Sequence, residues 1–267
     1  MKKIYLALMC TASLSMMTAC GGDKKADKAN AENETTEEVA ANEQQADEQQ
    51  AEEQAADQPD VWGVPANAEV LDLEALYAGG DFKPAATVIF EDTLGGETKG
   101  ELPSKWDISQ GSAEVGEANG HYYITMLGGT TELSPLGADG SKLTLPAKYT
   151  IEFEFMFGYD VWYHIHFFNA EGSGIGDFNM GQGYAEWNIA KTDEEWIYGN
   201  QSDLSELLKR DGWNHFAASF DNGNLKLFLN GKRIANLPKI QQAASFKITG
   251  DEADGKSHFI RNIRVTK

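Results

Sequence analysis

The chain has 267 residues, with 42 acidic and 22 basic side chains and a formal net charge of −20. This excess of negative charge argues against binding to nucleic acid and against adsorption to anionic lipid surfaces. The two cysteines are Cys10 and Cys20, and both precede the region that is predicted to fold. We therefore exclude a disulfide-stabilised module and a cysteine-ligated zinc site.

The first nineteen residues have the organisation of an export signal. Lys2 and Lys3 precede a mostly apolar run, residues 4–17, that is short for a membrane span. Small residues then lead to Cys20, and the arrangement resembles the bacterial lipobox, although Met17 stands where Leu is commonest. The resemblance implies lipidation of Cys20 and a stable anchor in the cell envelope, which we expect to be the outer membrane on its periplasmic or surface side. An ordinary secretory signal, cleaved without lipidation, is the alternative.

Residues 20–60 are predicted to form a disordered acidic tether. Between Asp23 and Asp60 the sequence has thirteen acidic residues and three lysines, and Val39 is the only large apolar residue. Such a composition cannot bury enough apolar surface to fold, and it lacks the apolar heptads of a coiled coil. The segment carries half of the net charge of the chain and would hold a following domain away from the lipid surface.

Residues 61–81 form a transition segment, and residues 82–267 are predicted to be one all-β domain. Within the transition, apolar residues over 70–77 predict a short helix that ends at Gly79-Gly80. The Gly-rich stretch 172–176 lacks a following helix and is expected to be a loop. Many short alternating runs separated by Gly-rich turns are typical of one sandwich domain. The predicted strands are 86–90, 111–115, 122–126, 142–145, 149–157, 161–168, 184–190, 213–220, 225–229, 232–237, 245–248 and 259–265.

The clearest supersecondary pattern is a three-stranded meander over residues 213–238. Phe216, Ala218 and Phe220 alternate with more polar residues, so one face of that strand is predicted to be core. Asn230-Gly231 is the dipeptide that two-residue hairpin turns favour, because both central positions require positive φ.

This meander resembles the closing strands of laminin G-like and concanavalin A-like domains. In those domains a Trp-led strand, an Asp/Asn-Gly turn, an apolar strand and an Asn-Gly turn come in the same order as Trp213, Asp221 to Asn224, residues 225–229 and Asn230-Gly231. The resemblance implies a jelly-roll sandwich of two antiparallel sheets over residues 82–267. It does not imply one function, because such sandwiches occur in lectins, adhesion modules, glycosidases and spacers.

The start of the predicted domain resembles the N-terminal sandwich domain of OmpA-family envelope proteins. The resemblance lies in Phe90-Glu91-Asp92, in Pro103-Ser104-Lys105-Trp106 and in the run from Gly111 to Val115. In that family the sandwich precedes a peptidoglycan-binding domain, but this sequence stops at Lys267 without the OmpA-like half, so the resemblance does not support an inference of peptidoglycan anchoring.

Two neighbouring predicted strands carry the polar pattern that is most suggestive of a site. Glu152 and Glu154 share one face of strand 149–157, and Trp162, His164 and His166 share one face of strand 161–168. If the two strands form a hairpin, these five side chains make one ligand-binding surface, and we take them as candidate ligand-binding residues. The alternative is a solvated sheet face with ordinary cross-strand Glu–His pairs.

This surface could serve as the active site of a glucanase or as a metal site. Concanavalin-like glucanases carry three acidic residues at alternate positions of one strand, but here Met156 follows Glu152 and Glu154 at the third position. We therefore assign no catalytic residue. The spacing of His164, His166 and Glu171 resembles the first metal-binding motif of cupins, but the second cupin motif is missing from the sequence. A metal site formed by both histidines and a Glu is therefore kept only as an alternative.

Two further ligand types are compatible with the sequence. Trp162, with Trp187 or Trp196, offers aromatic platforms for a glycan or a protein. Calcium is an unassigned alternative, for which Asp160, Asp177 and Asn179 supply oxygens in no recognised loop spacing.

We therefore predict a lipid-anchored envelope protein whose sandwich binds a glycan or an envelope protein without catalysis. No cofactor is expected, and nucleic acid is not an expected partner. The alternatives are a glycoside hydrolase or another carbohydrate-active enzyme of concanavalin-like fold, and a structural spacer in an envelope complex.

Overall fold

The computed structural model describes residues 63–65, 67–157, 161–181, 183–252 and 257–267. The predicted signal peptide, Cys20 and the acidic segment lie outside the described residues, and so does Asp160. No helix among the described residues is long and apolar enough to cross a membrane.

The described part of the chain is an antiparallel β-structure with one short helix. The helix α1 spans Leu73–Gly79, and the strands are β1 Val88–Asp92, β2 Trp106–Ala118, β3 His121–Pro135, β4 Lys148–Phe157, β5 Val161–Phe168, β6 Gly174–Gly181, β7 Tyr184–Ala190, β8 Trp196–Gln201, β9 Gly212–Asp221, β10 Asn224–Leu229, β11 Lys232–Pro238, β12 Ser245–Glu252 and β13 His258–Thr266. The predicted all-β sandwich is confirmed.

The strands form two layers that are joined through the long strand β3. Its residues 124–126 pair with β13, and its residues 131–133 pair with β12. The first sheet has the order β11-β10-β9-β4-β13-β3, and the second continues as β3-β12-β5-β6-β7-β8. Strand β1 pairs with β13, and strand β2 pairs with β3.

The core lies between the two sheets and follows the two-residue period of the strands. In β4 the inward side chains Ile151, Phe153 and Phe155 are fully buried, as are Tyr163 and Ile165 of β5. Each of these strands alternates such residues with more polar ones, which point to the outer face of its sheet. The polar side chains of these strands therefore lie on the outer faces of the two sheets.

The outer face of the first sheet is covered by the segment before β1. Val64 packs with Met156 and Trp213, and Phe82 packs with Ala217 and Phe228. The predicted helix is present within this segment, and Asp72 caps it by accepting a hydrogen bond from the Ala75 amide.

The three-stranded meander that was predicted over residues 213–238 is present as β9, β10 and β11. Asn230 and Gly231 have φ angles of 44° and 77° and connect paired residues Leu229 and Lys232. The predicted two-residue turn is therefore confirmed, with the positive φ values that explain the Asn-Gly pair.

Two predictions of local secondary structure were wrong. Residues 142–145 form no strand: Lys142 makes a single bridge to Leu136, while Leu143 and Leu145 are buried by loop packing. The alternation of these leucines with polar residues reflects the burial of their side chains, although the segment forms no ladder with a neighbouring strand. Residues 174–176 belong to strand β6 rather than to a loop, because Gly176 pairs with Phe167 on one side and Ile189 on the other.

Candidate functional site

The predicted hairpin between β4 and β5 does not exist. Strand β4 pairs with β9 and β13, whereas β5 pairs with β12 and β6. The chain passes from the first sheet to the second between these strands, so Glu152 and Glu154 lie on one outer face and Trp162, His164 and His166 on the other. The prediction that all five make one surface is therefore wrong, because alternation fixes the face of a residue within its strand but not the partner of that strand.

Glu152 lies in a buried polar cluster under helix α1. Tyr77 Oη donates to Glu152 Oε2 at 2.6 Å, and His215 Nε2 lies 2.9 Å from the same oxygen. Arg264 Nη1 approaches Glu152 Oε1 at 4.0 Å. Burial raises the pKa of Tyr77, and the hydrogen bond to Glu152 raises it further. The carboxylate thus ties the covering segment to the sheet.

Glu154 is held in a second buried cluster. Arg261 Nε donates to Glu154 Oε2 at 2.8 Å, and Asn262 Nδ2 donates to Glu154 Oε1 at 2.7 Å. The Arg261 Nη2 atom is also 2.8 Å from Oε2, but it is not aligned for a hydrogen bond. The guanidinium stacks on Trp213 at 4.0 Å. Only 1% of Glu154 is exposed, so it serves the packing of the sheet and does not reach solvent.

The other three candidates share the outer face of the second sheet. The indole of Trp162 lies across Gly181, where a Cβ atom would come within 2.6 Å of the ring. The Tyr184 ring contacts it in a T-shaped arrangement, with ring centroids 4.9 Å apart. Glycine at position 181 therefore permits the close approach that keeps Trp162 flat on the sheet.

His164 and His166 follow Trp162 along this face and converge on Asp177 of β6. His164 Nδ1 is 3.7 Å from Asp177 Oδ2, and His166 Nδ1 is 3.1 Å from Asp177 Oδ1. The two imidazole rings are nearly parallel, with an angle of 11° and centroids 5.6 Å apart. All three side chains are partly exposed.

The two histidines differ in their proton affinity. Burial acts to lower the pKa of His164, but the nearby carboxylates of Asp177 and Asp251 outweigh it, so this pKa is raised above its usual value. For His166, burial is the largest effect and lowers the pKa, and the neighbouring His164 and Lys247 lower it further against the attraction of Asp177. Lys247 itself donates to Glu132 at 2.7 Å, and that bond lowers the pKa of Glu132.

A groove of about 360 Å³ continues this face from β6 to β8. Its polar side chains come from neighbouring strands in register, with Asp177 beside Asn188 and Asn179 beside Glu186. Tyr198 stands on the edge strand and is 73% exposed. The side chains that face the groove are Asp177, Asn179, Glu186, Asn188, Tyr198 and Asn200. A second depression of about 490 Å³ adjoins it and shares Glu186 and Asn200.

The aromatic platforms differ from those expected. Trp187 alternates with Glu186 and Asn188, and its ring lies against Gly199 on the opposite side of the sheet, packed against the core. Trp196 is 42% exposed and shares a face with Tyr198. Tyr198 was missed by the sequence reasoning because strand β8 was not recognised, although Trp196, Tyr198 and Asn200 alternate with smaller residues there.

The two described residues considered for calcium do not lie in a loop. Asp177 and Asn179 both lie on strand β6 and project from the same face. Glu171, which completed the cupin-like spacing, is exposed in the turn after β5. The carboxylate that the fold brings to His164 and His166 is therefore Asp177, not Glu171.

Comparison with solved structures finds similar sandwiches at low sequence identity. The receptor-binding domain of botulinum neurotoxin type G matches with a TM-score of 0.46 and 10% identity, over 68% of this chain and 48% of that chain. The carbohydrate binding module CBM66 from Bacillus subtilis matches with a TM-score of 0.43 and 9% identity, over 61% of this chain and 96% of that chain. Sheep galectin-11 in complex with glycerol matches with a TM-score of 0.37 and 13% identity, over 46% of this chain and 92% of that chain. The chain spans about half the length of the botulinum neurotoxin domains that it matches.

Comparison of the sequence with curated proteins gives no match. The resemblance to the OmpA-family sandwich and the lipoprotein signal stay predictions. A family model described as the concanavalin A-like lectin/glucanases superfamily matches residues 128–260, a segment that includes both the meander and the groove. The resemblance seen in residues 213–238 is thereby confirmed, and the chain carries a domain of the concanavalin A-like lectin/glucanase superfamily.

Proposed function

We propose that this protein is a non-catalytic glycan-binding module and that the groove across β6, β7 and β8 is its binding site. The observation that carries the proposal is the combination of one highly exposed aromatic ring, Tyr198, with a row of amide and carboxylate groups on the same face. The volume of about 360 Å³ falls in the range of small-ligand sites.

The chemistry of the groove suits a sugar. Asn188 and Asn200 supply both donors and acceptors, while Glu186 and Asp177 accept from hydroxyl groups. An exposed ring such as Tyr198 can pack on the apolar C–H face of a pyranose while its hydroxyl remains solvated. The carboxylates lining the groove would repel an anionic ligand, so we expect a neutral glycan.

The absence of catalysis is the second part of the proposal. Hydrolysis with retention needs two carboxyl groups about 5–5.5 Å apart at the scissile bond. Glu152 is buried and bonded to Tyr77 and His215, Glu154 is buried and bonded to Arg261, and Met156 stands at the third acidic position of that strand. A hydrolase that used Asp177 and Glu186 is the alternative, because both line the groove.

We further propose that Cys20 is lipidated and that residues 20–60 tether the sandwich to the cell envelope, at the outer membrane. The sequence before Cys20 and the acidic composition of the tether support this proposal. An envelope protein as partner, or a spacer role, is the competing outcome if no glycan is retained.

The test uses the mature chain against a panel of neutral and anionic glycans, envelope glycans and peptidoglycan. We expect retention on one class of neutral glycan with no new reducing ends after long incubation. If reducing ends appear and are lost in both Asp177→Asn and Glu186→Gln, the protein is a hydrolase. If no glycan is retained while an envelope protein is captured stoichiometrically, the glycan-binding proposal fails.

A further inference from the structure

We propose that His164, His166 and Asp177 form a binding site for a divalent transition-metal ion of the Zn²⁺ type. The proposal concerns the outer face of β5 and β6, and it does not depend on the identity of any glycan.

The backbone places the three ligands correctly. His164 and His166 are two residues apart on β5, so they project from the same face of the sheet. Asp177 pairs directly with His166 in β6. The strand ladder on both sides of β5 therefore fixes the positions of all three Cα atoms, and a rigid scaffold of this kind favours a specific metal geometry.

The distances between ligand atoms agree with coordination of one ion. One nitrogen or oxygen atom from each of the three side chains lies within 4.8 Å of the others. Ligands at about 2.1 Å from an ion and roughly 90–109° apart are about 3.0–3.4 Å from each other. The distance of 3.1 Å from His166 Nδ1 to Asp177 Oδ1 lies within this range, and the distance of 3.7 Å from His164 Nδ1 to Asp177 Oδ2 lies slightly above it.

The local hydrogen bonding leaves acceptors that a cation would satisfy. Asp177 Oδ1 is buried and accepts no well-aligned hydrogen bond, although His166 Nδ1 is only 3.1 Å away. Asn179, opposite His164 on β6, also has a buried Oδ1 without a hydrogen-bond partner among the described residues. Buried acceptors without partners are uncommon, and a bound ion accounts for their occurrence beside two imidazoles.

The ligand types select the class of metal. Two imidazoles and one carboxylate suit Zn²⁺, Cu²⁺, Ni²⁺ or Fe²⁺, whereas Ca²⁺ and Mg²⁺ prefer all-oxygen sites. A cation, Lys247 of the neighbouring strand β12, lies opposite His166. Its ammonium is bound to Glu132 at 2.7 Å, so its repulsion of an incoming ion is partly neutralised. The partial exposure of the three side chains gives the ion a route from solvent.

The experiment is calorimetric titration of Zn²⁺ into the chelator-treated mature chain without a histidine tag. We expect one ion per chain, at least tenfold weaker binding in His164→Ala and in His166→Ala, and weaker binding in Asp177→Asn. His121→Ala is the matched control, because His121 is exposed on β3 outside this face, and it should bind as the parent does. Circular dichroism of each metal-free variant checks that the fold is retained.

Electron paramagnetic resonance of the Cu²⁺ form provides a second measurement. Nitrogen hyperfine splitting from two imidazoles is expected in the parent and should be lost in the His164→Ala/His166→Ala double variant. An absence of stoichiometric Zn²⁺ binding would overturn the proposal. So would binding and Cu²⁺ spectra that are the same in the parent and the double variant, since the ion would then be held elsewhere.

Discussion

The substitution Glu154→Gln tests whether the buried ion pair of the first sheet is structural. Glutamine has nearly the shape of glutamate, so the packing between β4 and β13 is preserved while the negative charge is removed. Arg261, which is only 3% exposed, would then keep its charge but lose the carboxylate with which it pairs. One of the two Glu154 acceptors would also be replaced by an amide donor facing Arg261 or Asn262.

The expected cost follows from the burial of both partners. Removing one member of a buried ion pair typically costs about 3–5 kcal/mol, because an uncompensated charge is left in the interior. Since glutamine keeps one acceptor, we expect a loss near the lower limit, about 3 kcal/mol. For a domain of this size, with a urea dependence of about 2–3 kcal/mol/M, the unfolding midpoint should fall by about 1 M.

The assay is equilibrium unfolding in urea followed by tryptophan fluorescence. Glu132→Gln is the matched control, because its pair with Lys247 is partly exposed and should contribute about 1 kcal/mol or less. The double variant Glu154→Leu/Arg261→Met should recover most of the lost stability, since both charges are then absent. A midpoint shift for Glu154→Gln as small as that of the control would refute the structural role assigned to this pair.

The remaining predictions concern the turn, the covering segment and the anchor. Gly231→Val forces a β-branched residue to a φ near 77° and brings its Cβ against Leu76, so the free energy of unfolding should fall by about 1–3 kcal/mol; an unchanged urea midpoint would contradict the turn geometry. Tyr77→Phe removes the hydrogen bond to Glu152 and should cost about 1–3 kcal/mol in the same assay, whereas no loss would mean that this bond does not hold the helix. Cys20→Ser should yield a protein that is extracted without detergent, and failure to label the parent with radioactive fatty acid would disprove lipidation.

The parts of the fold that were predictable from sequence are those with a local physical cause. The Asn230-Gly231 turn follows from the need for positive φ at both positions. The faces of β5 follow from alternation, so Trp162, His164 and His166 were correctly grouped on one surface.

The parts that failed depend on contacts between distant segments. Glu154 meets Arg261 across 107 positions of sequence, and nothing local distinguishes that buried carboxylate from a solvated one. Alternation likewise does not indicate that β4 pairs with β9 and β13 rather than with its neighbour in sequence. Asp177 was separated from the histidines because the glycines of β6 made that strand resemble a loop.

The groove contains residues that were predictable from the sequence and one that was not. Glu186 and Asn188 lie on a strand that the sequence predicts, and their common face was available from its alternation. Tyr198 lies on a short edge strand that also carries the exposed Trp196, and such a short run is a weak signal without knowledge of the neighbouring strand.

The most direct test of the central claim is the affinity of the Tyr198→Ala variant for whichever glycan the parent chain retains, measured by isothermal titration. Leu102→Ala is the control, because Leu102 is 63% exposed and lies outside the groove. The proposed site predicts at least a tenfold loss, equivalent to about 1.4 kcal/mol, for Tyr198→Ala and no loss for the control. Equal affinity of Tyr198→Ala and the parent would contradict the assignment of the groove as the binding site.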